Sequence, residues 1–378
     1  MLFSSVSKIY ILKTSPSSGI LPVKRPYFKE LMNQFFLSID QEAGNHIDIQ
    51  IVKVQIIGPD SSLFNHVVDC FFKYNLPFSQ QKLTQIGKIE QNHYSHLIPF
   101  IQEAIKNHKI TIVLGYDTGT IKSVFDSFQF GKDPFSVALV HSSLGSENDI
   151  TTQMVELRDP HLFDLTCIGH QANLSAPDQL KALPGLSIHP YRLGAVRENL
   201  AIVEPHIRTS DIFGVNLNSL KYHEAPNQAE PHPIGFSVEE VCQLAYYAGR
   251  GEGNKIFCLW GIDPSSDNLK IGHQILASLI WYFLYGIEYR ESTYPPDENK
   301  MTSYTIDTPI DGMYLAFYKD EGQQKWWLKN PISNSKLVAR YPLIACDYED
   351  YSRAVQHQEL SERLHASIIG FQHFNLHS

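Results

Sequence analysis

Short apolar runs alternate with longer amphipathic ones through most of the chain. IVKVQIIG (51–58) is rich in β-branched residues and ends at Gly-Pro, which predicts a strand closed by a turn. LFNHVVDCFFKYN (63–75) places apolar side chains at helical spacing. HYSHLIPFIQEAIKNH (93–108) predicts a further helix, with Pro99 near its first turns. ITIVLG (110–115) is almost wholly apolar, as a strand covered on both faces would be. TIKSVFDSF (120–128) predicts a helix and SVALVHS (136–142) the next strand.

The alternation continues. FDLTCIG (163–169) and LSIHPY (186–191) predict strands, and AVRENLAIVEPHI (195–207) a helix that Pro205 disturbs near its end. DIFGVNL (211–217) predicts a strand. SVEEVCQLAYYAG (237–249) predicts a helix, with Ser237 and Glu240 at capping-box spacing and Gly249 suited to the C′ position. KIFCLWGI (255–262) predicts a strand and residues 271–289 a long apolar helix. Strands alternating with helices imply an α/β fold of three layers, with a roughly eight-stranded, mainly parallel sheet. Ligands of such folds sit beyond the carboxyl ends of the strands. The segments to inspect are therefore Gly115–Gly119, His141–Gly145, Asn216–Ser219 and Gly261–Pro264.

After Pro296 the pattern changes. Residues 303–329 alternate and contain Gly312, Gly322 and the pair Trp326-Trp327, which predicts a small antiparallel hairpin or meander. DYEDYSRAVQHQELSERLHASI (347–368) predicts one or two closing helices. The organisation expected is an N-terminal extension (1–50) packing on the core, an α/β domain (51–295), and a C-terminal hairpin-and-helix appendage (296–378).

Composition narrows the chemistry. Of 378 residues 43% are hydrophobic and 19% charged, which is ordinary for a globular protein. The net charge of -9, without a basic block, argues against nucleic acid or an anionic membrane as partner. The longest apolar stretch, Ile275–Ile287, is too short to span a bilayer unaided. Five widely spaced cysteines without a CxxC exclude a disulfide framework and a structural zinc knuckle. The N-terminus lacks a charged-then-apolar signal layout, so a reducing, cytoplasmic compartment is expected.

The strand ends carry a family resemblance. DIFGVNLNSLKYHEAPNQAEPHPIGFSVEEVCQLAYYAG (211–249) resembles the arginase, agmatinase and formimidoylglutamase (ureohydrolase) signature. In that signature a strand ends in D-x-D, and Ala-Pro, Pro, Gly-Phe and a Glu-rich helix start follow. Ala225-Pro226, Pro233, Gly235-Phe236 and Glu239-Glu240 keep the frame, while D-x-D has become Asn216 and Asn218. LGYDTG (114–119) is similar to the family's G-G-D-H-S strand end, with Asp117 at the aspartate and Thr118 at the histidine position. VALVHSSLG (137–145) is similar to the D-A-H-x-D strand end, with Leu139 and Ser143 for the aspartates and His141 kept. LWGIDPSSD (259–267) resembles the E-x-N-P strand, with Gly261 where a glutamate holds the substrate. Together with YRLGAVRENL, KWW and CDYEDY, the chain looks like a divergent arginase-like branch found in Bacteroidetes.

The resemblance implies an arginase-type αβα fold and, in the family, two manganese ions sharing a bridging water that attacks the guanidinium carbon. It also implies that the six ligand positions are Thr118, Leu139, His141, Ser143, Asn216 and Asn218. Only His141 keeps its ligand type and none is a carboxylate, whereas hard divalent ions need carboxylate oxygens. The expectation is a degenerate site, no bound manganese or other cofactor, and a non-catalytic binding or assembly protein. Its polar crevice could take a small polar ligand, and a homo-oligomer is compatible. The alternative is a hydrolase of guanidino or formimino C–N bonds with a rebuilt metal site. Nearby carboxylates that could serve are Asp117, Glu147, Asp149, Glu224 and Asp263. There are 17 histidines, among which His141, His170 and His189 could converge on one crevice if their strands are neighbours. His223, Glu224 and His232 fall in the loop after the Asn-x-Asn strand and would shape the pocket mouth. No G-x-S-x-G elbow accompanies Ser142 and Ser143, and GRGEGNK (249–255) lacks Walker spacing.

Overall fold

The computed structural model describes residues 10–11, 53–59, 61–75, 82–89, 94–129, 133–146, 149–157, 159–176, 186–265, 269–290, 296–307, 314–332, 338 and 340–377. Apart from Tyr10–Ile11, the N-terminal extension lies outside the described residues. The main sheet contains β1 (Tyr10–Ile11), β2 (Lys53–Pro59), β3 (Lys82–Ile89), β4 (Lys109–Leu114), β5 (Phe135–Val140), β6 (Leu162–His170), β7 (Ser187–Arg192), β8 (Ile212–Asn216) and β9 (Ile256–Trp260). Their spatial order is β1-β3-β2-β4-β9-β8-β5-β6-β7. β2 to β9 run parallel, and only the short β1 is antiparallel. Seven of these eight parallel strands correspond to the alternation in the sequence, and β3 is a further strand in a stretch where none was expected. β5, β8 and β9 are buried at every position, because helices cover both faces.

The helices are α1 (Ser62–Phe71), α2 (Leu97–Lys106), α3 (Thr118–Gln129), α4 (Ile150–Glu156), α5 (Leu193–Glu198), α6 (Glu204–Thr209), α7 (Val238–Arg250) and α8 (Leu269–Glu288). One core layer joins α1, α5, α6, α7 and α8 to one face of the sheet. The other joins α2, α3 and α4 to the opposite face. Ser237 and Glu240 form the capping box expected at the start of α7. Gly249 does not end that helix, which continues to Arg250. A Cβ at Gly249 would lie 1.9 Å from the Phe283 carbonyl, so the glycine serves the close crossing of α7 and α8. Pro205 likewise does not end a helix. The predicted single helix over 195–207 is split into α5, a 3-10 turn and α6, and Pro205 sits in the first turn of α6, where its missing N–H costs nothing.

The C-terminal part forms a second, four-stranded antiparallel sheet: β10 (Thr302–Asp307), β11 (Tyr314–Asp320), β12 (Lys325–Lys329) and β13 (Leu343–Cys346). The predicted meander is therefore joined by one further strand. Two helices follow, α9 (Tyr348–His357) and α10 (Glu362–His377). This layer docks at the amino ends of the main strands. Arg208 of α6, only 1% exposed, donates to the Trp326 and Cys346 carbonyls and stacks 4.3 Å over the Trp327 ring. Asp211, at the start of β8, accepts from Lys255, Arg340 and the Tyr341 hydroxyl. Among the described residues, no helix is long and apolar enough to cross a membrane.

Candidate functional site

Parallel strands end where helices begin, so side chains just past β5, β8 and β9 meet at one rim. Asn216 closes β8. Its Oδ1 accepts from the Asn218 backbone N–H at 3.0 Å, which caps a 3-10 turn over Leu217–Ser219. That leaves the Asn216 amide nitrogen, 3.0 Å from His141 Nδ1, as the donor. His141 Nδ1 must then accept, which places the ring proton of the neutral tautomer on Nε2. His141 Nε2 lies 2.5 Å from Asp149 Oδ1, and the pair is almost wholly buried.

Asp149 precedes α4 but makes no side-chain cap there. Its carboxylate accepts instead from His141, Ser143 (3.0 Å) and the Thr151 hydroxyl. Burial alone would raise the Asp149 carboxyl; its hydrogen bonds with His141 and the two hydroxyls outweigh burial and hold it below the usual carboxylate range. Ser143 Oγ stands 3.1 Å from His141 Nε2. This is not a nucleophile relay. Serine and aspartate share one ring nitrogen, that nitrogen bears the proton, and the other nitrogen faces an amide.

Of the eight positions singled out in the sequence, His141, Ser143 and Asn216 are joined in this network, with Asp149 added. Asn218 is tied in through its backbone, while its side-chain oxygen accepts from Glu230 N at 3.1 Å and pins the following loop. Gly261 sits against the network with φ +85°, and a Cβ there would fall 2.1 Å from Asn216 Oδ1. Asp117 and Thr118 are exposed at the end of the neighbouring β4, and Asp117 accepts from Gly119 N at 2.8 Å as a turn residue. Leu139 is not a lining residue. It is fully buried in the core layer under α2, α3 and α4, one step deeper in β5 on the side of Trp260. Leu139 lies two residues before His141, so it points to the same face but below the rim.

The other flagged groups scatter. Glu147 lies outside the described residues. Glu224 accepts from Val238 N and Lys221, and Asp263 accepts from Ser265. His232 closes a local turn with Ile234, and His223 is largely exposed. The convergence of His141, His170 and His189 does not occur. His170 stays at the end of β6, and His189 of β7 packs on His206, with ring centroids 4.2 Å apart. His189, His206 and Asp164 are the cluster of three metal-ligating side chains found among the described residues, and they sit towards the amino ends of the strands. All five cysteines are free. Burial pushes the Cys242 and Cys346 thiols up to about 12, so they are protonated at neutral pH.

Comparison with known proteins places this rim in a fold. No protein-family model matches the sequence and no curated protein matches it. Solved structures do match, and they define the architecture as the ureohydrolase, or arginase-type, fold. Several of the similar structures are formiminoglutamases. One from Trypanosoma cruzi is 15% identical, covers 68% of this chain and 98% of its own, and superposes with a TM-score of 0.52. The same enzyme solved with Mn2+ is 14% identical over 66% of this chain and 97% of its own, with a TM-score of 0.52. The Bacillus subtilis formimidoylglutamase is 12% identical over 69% of this chain and 99% of its own, with a TM-score of 0.51.

Proposed function

We propose that this arginase-fold chain is a non-catalytic binding or assembly protein whose strand-end crevice holds no dinuclear manganese. The observation that carries this reading is the closed network around His141. Both of its ring nitrogens are engaged, by Asn216 and Asp149, so neither has a lone pair directed at an ion. Two divalent ions bring a charge of 4+, and among the described residues one carboxylate, Asp149, reaches the network. Leu139 has no donor and lies in the core. Gly261 has neither a carboxylate for a guanidino group nor room for one beside Asn216. The donors present therefore do not fit the two manganese ions found in a similar structure, and no hydrolytic step is derived through them. What remains is a partly exposed hydroxyl, Ser143, over a rigid polar base, which suits a small polar ligand.

The test uses the full chain, incubated with excess Mn2+ and then offered arginine, agmatine and N-formiminoglutamate. Release of urea, or of formamide or ammonia, should stay at the buffer rate. Turnover that requires Mn2+ and disappears in His141→Ala would overturn the reading and establish a rebuilt hydrolase of guanidino or formimino C–N bonds.

A further inference from the structure

The geometry points to a second, mononuclear metal site: we propose that Asp164, His189 and His206 bind one zinc-class divalent cation near the amino ends of β6 and β7, beneath the C-terminal layer. Asp164 pairs with Ser187 across the strands, so His189, two residues on, shares its face. His206 reaches the same point from α6. One ligand atom from each of the three lies within 4.8 Å of the others. From Asp164 to the level of His141 is five residues of strand, or about 16 Å, so this is not the strand-end crevice.

Unsatisfied nitrogens distinguish the cluster from an ordinary buried ion pair. His189 is 5% exposed, and its Nε2 lies 3.0 Å from Asp164 Oδ2 without the alignment of a hydrogen bond. His206 is 8% exposed, and its Nε2 has no partner. Buried polar atoms are nearly always paired, so two orphans on adjacent rings call for a ligand. Burial, then His189, Arg363 and Arg208, holds His206 well below the ordinary histidine range. The ring is therefore neutral, the form that coordinates a metal. Both arginines have carboxylate partners, Glu204 for Arg208 and Asp350 with Asp347 for Arg363.

Two imidazoles and one carboxylate suit zinc better than manganese or magnesium, which prefer oxygen. A tetrahedral zinc shell has ligand edges of about 3.4 Å, given bonds near 2.1 Å. The Asp164–His189 edge is already slightly shorter at 3.0 Å, and the other separations, all within 4.8 Å, need to shrink by no more than about 1.4 Å, within reach of a ring rotation. A cavity of about 40 Å³ adjoins Asp164 and His206 and is lined also by Ser136, Thr209 and Tyr341. It has room for a water as fourth ligand.

The test strips the full chain with chelator and titrates it with Zn2+ and, separately, Co2+. One ion per chain is expected, with the intense visible absorption of four-coordinate Co2+. His189→Ala and His206→Ala should each reduce bound metal to less than a tenth of an ion per chain, with Asp164→Asn as the milder variant. His141→Ala should retain full occupancy, which separates this site from the crevice and from the proposal above. Zinc uptake below a tenth of an ion by the unsubstituted chain would overturn the site whatever the variants do. So would full occupancy in both histidine variants, or loss in His141→Ala.

Discussion

Around His141, at the carboxyl ends of β5, β8 and β9, the polar groups that meet are amides, hydroxyls and one His–Asp pair. At the amino ends of the same strands they are full charges. Asp211 is held by Lys255 and Arg340, Arg208 by Glu204, and Lys325 by Glu252, the last pair with both side chains 4% exposed. The rim around His141 is a closed hydrogen-bonded network, and the paired charges lie under a sheet-and-helix layer at the other end. Charge can be buried there because each ion is paired, and Arg208 and Lys325 also donate to backbone carbonyls.

The largest effect expected is at the amino ends. Asp211→Ala strands Lys255 and Arg340 beside a buried gap and should cost about 3–5 kcal/mol, the usual loss when one member of a buried pair is removed. Urea unfolding measures it, and a loss below 1 kcal/mol would mean the layer is not anchored there. Gly261→Ala comes next, at about 1–3 kcal/mol, because it needs a positive φ and collides with Asn216. Asn216→Ala should cost about 1–2 kcal/mol, since it removes the cap of one turn and the partner of His141. If Asn216→Ala proves more costly than Asp211→Ala, the contrast between the two ends fails.

Acid sharpens the same contrast. Asp149 and Asp211 are both held below the ordinary carboxylate range. For Asp211, burial would raise the carboxyl, and Lys255 and Arg340 reverse it. A depressed folded pKa adds stability that is complete above the unfolded value of about 3.9 and is lost as pH falls through the folded value. Stability should therefore drop below pH 4. Asp211→Asn should flatten that drop more than Asp149→Asn does, because two cations face Asp211 and one histidine faces Asp149.

Most of the sheet was legible in the sequence because its strands are buried on both faces and read as unbroken apolar runs. The strand-end segments followed from the topology of such folds, and His141, Ser143 and Asn216 do meet there. The burial of Leu139 was not legible, because a motif alignment gives a position along a strand and not its depth below the rim. Asp149 was one of five nearby carboxylates. Its choice depends on how the loop after β5 folds back, which has no periodicity to read. Asp164 and His206 were not anticipated at all. Their meeting with His189 depends on which strands are neighbours and on where the broken helix places α6, and Pro205 suggested a helix end where one begins.

Gly261 also sets an order on mutation. A glutamate at 261 could restore nothing while Asn216 Oδ1 occupies the space and holds the Asn218 amide. Asn216→Asp leaves an oxygen of the same size in the same place. Position 216 must first release its turn, which removes the donor to His141. The two positions are coupled, because a side chain at 261 and the turn cap at 216 compete for one space.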